Sequence, residues 1–170
     1  RYLNILKDKL PILLKLVCHD KNLDVISGVG GTIGVMLSIY NDTDDYQLKN
    51  ITLDICKLCL QHLKNNKVKF FGNSIGWGSG GVYEPCTGFA HGNAGIISYL
   101  IKLYKVVEDE EILELVKEAL NYERGLYSKE NKNWYSSVNN KRCSVAWCHG
   151  APGILLSRII LKENGYNDEL

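Results

Sequence analysis

The sequence shows no excess of charge of either sign. Its 20 Lys and Arg residues are matched by 19 Asp and Glu residues, which gives a formal net charge of +1, and the two signs are interspersed along the chain. Proteins that bind nucleic acid or anionic membranes usually present a basic patch or stripe. The charge balance therefore argues against both kinds of partner.

A membrane span and a secretory signal are also missing. No apolar run approaches the length that a membrane helix needs, and no charged start is followed by a short apolar core and a small-residue cleavage site. The chain begins with Arg1 instead of methionine, already within an amphipathic pattern, so we expect it to start inside a longer protein. With 45% hydrophobic and 23% charged residues it has the composition of one soluble globular domain, and we expect a cytoplasmic location.

The cysteines are too sparse for a disulfide scaffold in a chain of this size, and we expect six reduced thiols: Cys18, Cys56, Cys59, Cys86, Cys143 and Cys148. Two spacings invite a metal or redox interpretation. Cys56 and Cys59 form a Cys-x-x-Cys pair, but the surrounding pattern is helical and no βαβ unit encloses it, which favours helix packing. Cys143 and Cys148 lack the second pair that a zinc finger needs.

One glycine pattern, Gly-x-x-Gly, occurs three times. It begins at Gly28, Gly92 and Gly150, which lie 64 and then 58 residues apart. Each copy follows a polar residue and leads into an apolar run. Recurrence of this kind predicts a repeat architecture.

Six segments between and around these motifs carry helical patterns. The apolar segments, 32–40, 96–107 and 152–162, predict buried helices, and the amphipathic segments, 3–18, 46–64 and 108–127, predict helices with one exposed face. Because a single helix pair cannot bury both of its faces, successive pairs must stack side by side. We expect an all-α array with an inner and an outer ring of helices and with the three glycine loops at one end.

Two stretches break the helical rhythm. Residues 65–85 contain a short apolar run that suggests a strand around 68–71, and five glycines that mark a long loop. The run Gly78-Ser79-Gly80-Gly81 lacks the Gly-Lys-Ser/Thr ending of a phosphate loop, so a nucleotide site is not expected. We interpret it as the flexible part of an insertion. Residues 128–145 read as a polar loop.

Four side chains next to the glycine motifs are candidates for chemistry: Asp24, His91 and the adjacent pair Cys148 and His149. Packed helices lie about 8 to 10 Å apart, so these side chains can converge on one small ligand. The residue types alone leave other interpretations open. His91 fits a core or capping histidine, Asp24 a turn residue, and Cys148 a buried apolar residue or half of a Cys-His protease-like dyad.

Three motifs, taken in their order along the chain, narrow these alternatives. Together with Trp134, which lies ahead of the last motif, they resemble the motifs of a known family. The motifs are Leu23-Asp24-Val25-Ile26-Ser27-Gly28, Gly88-Phe89-Ala90-His91-Gly92-Asn93-Ala94-Gly95-Ile96 and Trp147-Cys148-His149-Gly150-Ala151-Pro152-Gly153-Ile154. The family is that of the lanthionine synthetase cyclases, in particular the C-terminal cyclase domain of class II lanthipeptide synthetases. The resemblance implies an α/α toroid. Residues 1–170 would form a partial cyclase domain of about three helix-pair repeats, an incomplete fragment of the toroid.

The resemblance also implies a reaction and its residues. Cyclases of this family add peptide cysteine thiols to dehydroalanine or dehydrobutyrine and so form thioether rings. His91 matches the catalytic histidine and Asp24 the catalytic aspartate, which orients a catalytic group or helps to remove the thiol proton. Cys148 matches the first ligand of the catalytic Zn²⁺. His149 matches a position that is not a ligand, so we expect it to line the site.

The remaining zinc ligands, a cysteine and a histidine, belong to a later Cys-His-Gly motif in this family. Nothing after Ile154 matches that motif, so these ligands are expected beyond Leu170 and the fragment alone is expected to be inactive. The implied partner is a dehydrated precursor peptide, with an upstream dehydratase domain in the same parent chain. Two alternatives remain: a related enzyme that adds glutathione to dehydrated residues, and a helical-repeat binding module without catalytic activity.

Overall fold

The computed structural model describes residues 2–80 and 84–167, and within them the chain is all-α, as predicted. Six α-helices make up most of this part: α1 (Tyr2–Leu16), α2 (Val29–Asp42), α3 (Tyr46–Asn66), α4 (Asn93–Val107), α5 (Glu110–Gly125) and α6 (Ala151–Glu163). A short 3-10 turn, Val17–His19, follows α1. Helix α1 continues through Pro11.

Two small antiparallel hairpins lie between the helices. The first joins β1 (Val68–Lys69) to β2 (Ile75–Gly76), close to the predicted strand, and the second joins β3 (Tyr127–Ser128) to β4 (Asn133–Trp134). The second hairpin starts at Tyr127, the last residue of the predicted helix 108–127, and continues into a stretch that we predicted to be a polar loop. Strands of two residues give too short a pattern to be recognised in a sequence.

The helices form two layers. Helix α4 packs between α2 and α6 in one layer, while α3 packs on α2 and α5 packs on α4 in the other. Helix α1 packs beside α3. The three apolar helices thus share the inner layer and the amphipathic ones the outer layer, which confirms the predicted alternation.

Burial explains why α4 occupies the centre. It contacts helices on three sides, and five of its large apolar side chains are fully buried: Ile96, Ile97, Leu100, Ile101 and Leu103. Helix α5 instead buries a single face and exposes most of its charged residues, with the buried Glu123 as an exception. Asp45 and Asp109 directly precede helices α3 and α5, and their carboxylates accept hydrogen bonds from the first free backbone N–H groups of these helices.

Two features of the core involve polar or titratable side chains. In α3 the thiols of Cys56 and Cys59 are buried, and burial raises the pKa of each to about 12, which confirms the helix-packing interpretation. Between α5 and α6, the buried carboxylate of Glu123 accepts a hydrogen bond of 2.7 Å from the Arg158 guanidinium. In residues 2–80 and 84–167, no helix has both the length and the hydrophobicity of a membrane span.

Candidate active site

The loops that precede α2, α4 and α6 lie side by side and are joined by backbone hydrogen bonds. The N–H of Val25 donates to the carbonyl of Ala90 at 3.1 Å, and the N–H of Phe89 donates to the carbonyl of Trp147 at 3.3 Å. Each bond connects neighbouring repeats that are far apart in sequence. The prediction that the three glycine motifs meet at one end of the helical layers is confirmed.

The Gly-x-x-Gly pattern has a common structural reason in all three copies. Its second glycine lies within the first turn of an inner helix and packs directly on a backbone carbonyl six residues earlier in the chain. A Cβ atom at Gly31, Gly95 or Gly153 would overlap with these carbonyl oxygens. Each inner helix begins two residues before its glycine, which is earlier than the apolar pattern suggested. The absence of a side chain at the glycine lets the start of the helix pack directly against the loop that precedes it.

The structure joins two of the predicted catalytic residues directly. Nδ1 of His91 lies 2.8 Å from Oδ2 of Asp24. An ionised carboxylate can only accept hydrogen bonds, so Nδ1 carries the proton of this bond and Nε2 is left for other partners. Asp24 is 2% exposed, whereas the side chain of His91 is 40% exposed. This geometry fits a histidine whose orientation is fixed by a buried carboxylate, and it does not fit a core histidine.

Asp24 also serves as a turn residue, the alternative that its sequence context left open. Its Oδ1 accepts a hydrogen bond of 2.9 Å from the backbone N–H of Ser27, which closes the loop before the first glycine. Its Oδ2 accepts a second bond, 2.7 Å long, from the hydroxyl of Ser79 in the insertion. The carboxylate therefore connects the first glycine loop, the insertion and His91.

Ser79 is a site residue that the sequence did not indicate. It lies 55 positions from Asp24, and its only signal was the run of small residues that we interpreted as flexible. Gly81 of that run lies outside the described residues, whereas Ser79 has a defined contact with the site.

The loop of Cys148 lies against the loop of His91. The rings of His149 and His91 stack with their centroids 5.7 Å apart, and Trp147 stacks on Phe89 at 5.5 Å. In the sequence, Cys148 lies between Trp147 and His149, the two residues that make these contacts. It is partly exposed and its thiol is free. The predicted site residues thus share one region, with His149 lining it beside His91. Their chemical roles stay predictions.

The described part of the chain contains a candidate zinc donor but no complete metal site. Across residues 2–80 and 84–167, no group of three or more His, Cys, Asp or Glu side chains is arranged to hold a metal ion. Cys148 is a suitable thiolate donor, but one donor does not make a zinc site, which usually has at least three protein ligands. In this part of the chain Cys143 does not complete such a group either.

Acid should weaken the fold through Asp24. Burial alone would raise the pKa of its carboxyl group, but hydrogen bonds from Ser27, His91 and Ser79 outweigh burial and lower it. Such a group stabilises the fold above its unfolded pKa of about 3.9, and this contribution is lost as the pH falls through the lower folded value. In urea titrations at about pH 6 and about pH 3, Asp24→Asn should lose less unfolding free energy between the two conditions than the wild type. Asp44→Asn, at an exposed position, should behave like the wild type.

Known proteins resemble this chain over most of its length. The family model described as lanthionine synthetase C-like protein matches residues 1–170. The lacticin 481/lactococcin biosynthesis protein LcnDR2 of Lactococcus lactis subsp. lactis is 31% identical over 157 residues, which cover 92% of this chain and 14% of that protein. Glutathione S-transferase LANCL1 of Danio rerio is 29% identical over 131 residues, or 74% of this chain and 32% of that protein. The chain therefore spans only a minor part of the length of either relative.

Proposed function

The chain belongs to the lanthionine synthetase C-like family, and from this we propose that it forms part of a cyclase that makes lanthionine and methyllanthionine thioether rings in a peptide. The observation that carries the proposal is the hydrogen bond between His91 and the buried Asp24, with the Cys148 loop stacked against the same histidine. A partly exposed imidazole with one nitrogen fixed by a carboxylate is suited to proton transfer at its other nitrogen.

The proposed reaction is the addition of a thiol across a carbon–carbon double bond. The cysteine sulfur of the peptide loses its proton and bonds to the β-carbon of dehydroalanine or dehydrobutyrine. The π electrons move toward the carbonyl group, and the α-carbon then takes up a proton. Atoms and electrons balance without an oxidant or a reductant.

In this reaction we assign His91 the delivery of the proton to the α-carbon from Nε2. Asp24 acts behind it as a positioning residue, because its carboxylate fixes Nδ1 and stabilises the protonated imidazole. Burial of the carboxylate strengthens this interaction, since little water competes for it. General acid catalysis by a positioned side chain typically contributes about 10²- to 10⁴-fold to a rate.

We further propose that Cys148 supplies one thiolate ligand to a Zn²⁺ ion, with the other ligands outside the described residues. When bound, zinc lowers the pKa of a coordinated thiol and so makes it a nucleophile near neutral pH. The proposed substrate is a dehydrated precursor peptide. The proposed setting is a cytoplasmic polypeptide with an upstream dehydratase domain.

One experiment separates this function from the two alternatives. The native polypeptide that contains this chain is incubated with a peptide carrying one dehydroalanine and one cysteine, in the presence of glutathione, and the products are alkylated and weighed. Ring closure is identified when the mass of the peptide before alkylation is unchanged but its thiol can no longer be alkylated. A gain of one glutathione would instead support the activity for which the second relative is named. An unchanged peptide would favour a binding module.

The zinc proposal has its own test in Cys148→Ala. In the native polypeptide this change should lower the zinc content from about one ion per chain to well below one and abolish ring closure, because a three-ligand site loses a thiolate. Metal content is measured by mass spectrometry after dialysis. Cys18→Ala is the matched control, since Cys18 is exposed in the middle of the short turn after α1. Full zinc occupancy in Cys148→Ala would exclude this cysteine as a ligand.

A further inference from the structure

The insertion between α3 and α4 reaches the candidate active site through the hydroxyl group of Ser79. Oγ of Ser79 donates to Oδ2 of Asp24 at 2.7 Å, and the same oxygen accepts the bond from Nδ1 of His91 at 2.8 Å. A carboxylate oxygen offers two lone pairs, so these two donors satisfy Oδ2 completely. The other oxygen, Oδ1, is bound by the backbone N–H of Ser27. The carboxylate is therefore fixed at both of its ends.

The segment that carries Ser79 is itself anchored in the core. Trp77 is 1% exposed, and its indole N–H donates to the carbonyl of Leu63 at 2.9 Å, near the end of α3. Its backbone N–H donates to the side-chain oxygen of Asn93 at 3.3 Å, and Asn93 also donates to the carbonyl of Ile75 at 2.9 Å. Asn93 is the first residue of α4 and follows His91 by two positions. The same helix start thus sets the positions of both the histidine and the insertion.

We propose that Ser79 is a positioning residue of the active site, whose hydroxyl holds the Asp24 carboxylate in the orientation that keeps Nδ1 of His91 bound. Without this hydroxyl, Oδ2 loses one of its two donors in a buried environment, and the carboxylate gains freedom to rotate away from the histidine. The insertion then serves catalysis by completing a Ser79–Asp24–His91 chain. The consequence for ring closure rests on the proposed function, whereas the consequence for the histidine itself does not.

Two measurements on the native polypeptide test this assignment. The first is ring closure in Ser79→Ala, where kcat should fall by about 10-fold or more with KM within about twofold, as expected for loss of a hydrogen bond to a charged group. The second is the rate at which diethyl pyrocarbonate modifies His91, followed by peptide mass mapping. If the Asp24 bond no longer fixes the proton on Nδ1, the two tautomers share the population, and modification at Nε2 should slow by about twofold.

Ser79→Thr and Ser74→Ala are the matched variants. Threonine restores the hydroxyl group, so Ser79→Thr should recover most of the kcat of ring closure and most of the rate of His91 modification. Ser74 lies in the same insertion, where its hydroxyl donates to the carbonyl of Phe71 at 2.6 Å without contacting Asp24. Ser74→Ala should therefore leave His91 reactivity at the wild-type level.

The outcomes decide the proposal in either direction. If Ser79→Ala and Ser74→Ala change kcat equally and leave the reactivity of His91 unchanged, Ser79 is only a structural residue and the assignment is wrong. If the wild-type polypeptide closes no rings, the proposed function fails. The diethyl pyrocarbonate measurement would still confirm or refute the Ser79–Asp24–His91 chain by itself.

Discussion

Replacing His91 by alanine should slow ring closure in the native polypeptide by about 10²- to 10⁴-fold, the usual contribution of a general acid. The physical reason is that the α-carbon would have to take its proton from bulk water. The change removes a partly exposed side chain, so the fold should lose little beyond the bond to Asp24 and the ring contact with His149. The rate is followed as the loss of free peptide thiol over time. Zinc content should stay at the wild-type level, because His91 is assigned to proton transfer and not to metal binding.

The matched control for this change is His19→Ala. His19 is exposed in the short turn after α1, and it contributes no hydrogen bond to the Asp24 network. Its replacement should leave the rate of ring closure unchanged. An unchanged rate in His91→Ala itself would remove this histidine from the mechanism, and lost zinc would reassign it as a ligand.

Replacing Gly150 by alanine should destabilise the chain by about 3 kcal/mol or more, among the larger effects of single substitutions. Gly150 has a φ of +96°, which residues with a side chain rarely adopt. A Cβ atom there would also overlap with the carbonyl oxygen of Ser144. Relief requires the loop from Ser144 to Gly150 to move, and this loop carries Cys148 and His149. We therefore expect a lower urea midpoint together with a lower zinc content.

Gly72→Ala separates backbone strain from steric overlap. Gly72 also has a positive φ, +54°, but a Cβ atom at this position would have no neighbour within 4 Å. The change should cost only about 1 kcal/mol, the strain of a left-handed conformation. Similar unfolding free energies for the two variants, measured by urea denaturation, would show that the contact with Ser144 does not restrain the loop.

The site depends on the repeat architecture as a whole. Each of the loops preceding α2, α4 and α6 supplies one part of it: Asp24, His91 and Cys148, respectively. No single helix pair brings two of these residues together. The backbone bonds from Val25 to Ala90 and from Phe89 to Trp147 are therefore as necessary for the geometry as the side chains themselves.

The sequence by itself determined the order and type of the helices. The apolar segment 96–107 predicted a buried helix, and the structure places α4 at the centre of the inner layer. The recurring glycines predicted that three loops meet. These features are readable because each depends on a local pattern of hydrophobicity or on a residue type with a narrow structural use.

The tertiary structure decided the contacts between distant segments. The bond from Ser79 to Asp24 joins residues 55 positions apart, and the buried pair of Glu123 and Arg158 joins residues 35 positions apart. Neither pair can be recognised from the sequence. The residues around a loop serine, or around a charged residue on a helix, are of the same types whether its side chain faces solvent or a partner. The sequence thus determined the framework and the candidate residues of this protein. Only the folded chain decided which oxygen of Asp24 holds His91 and which side chain holds Asp24, because packing alone brings these groups within bonding distance.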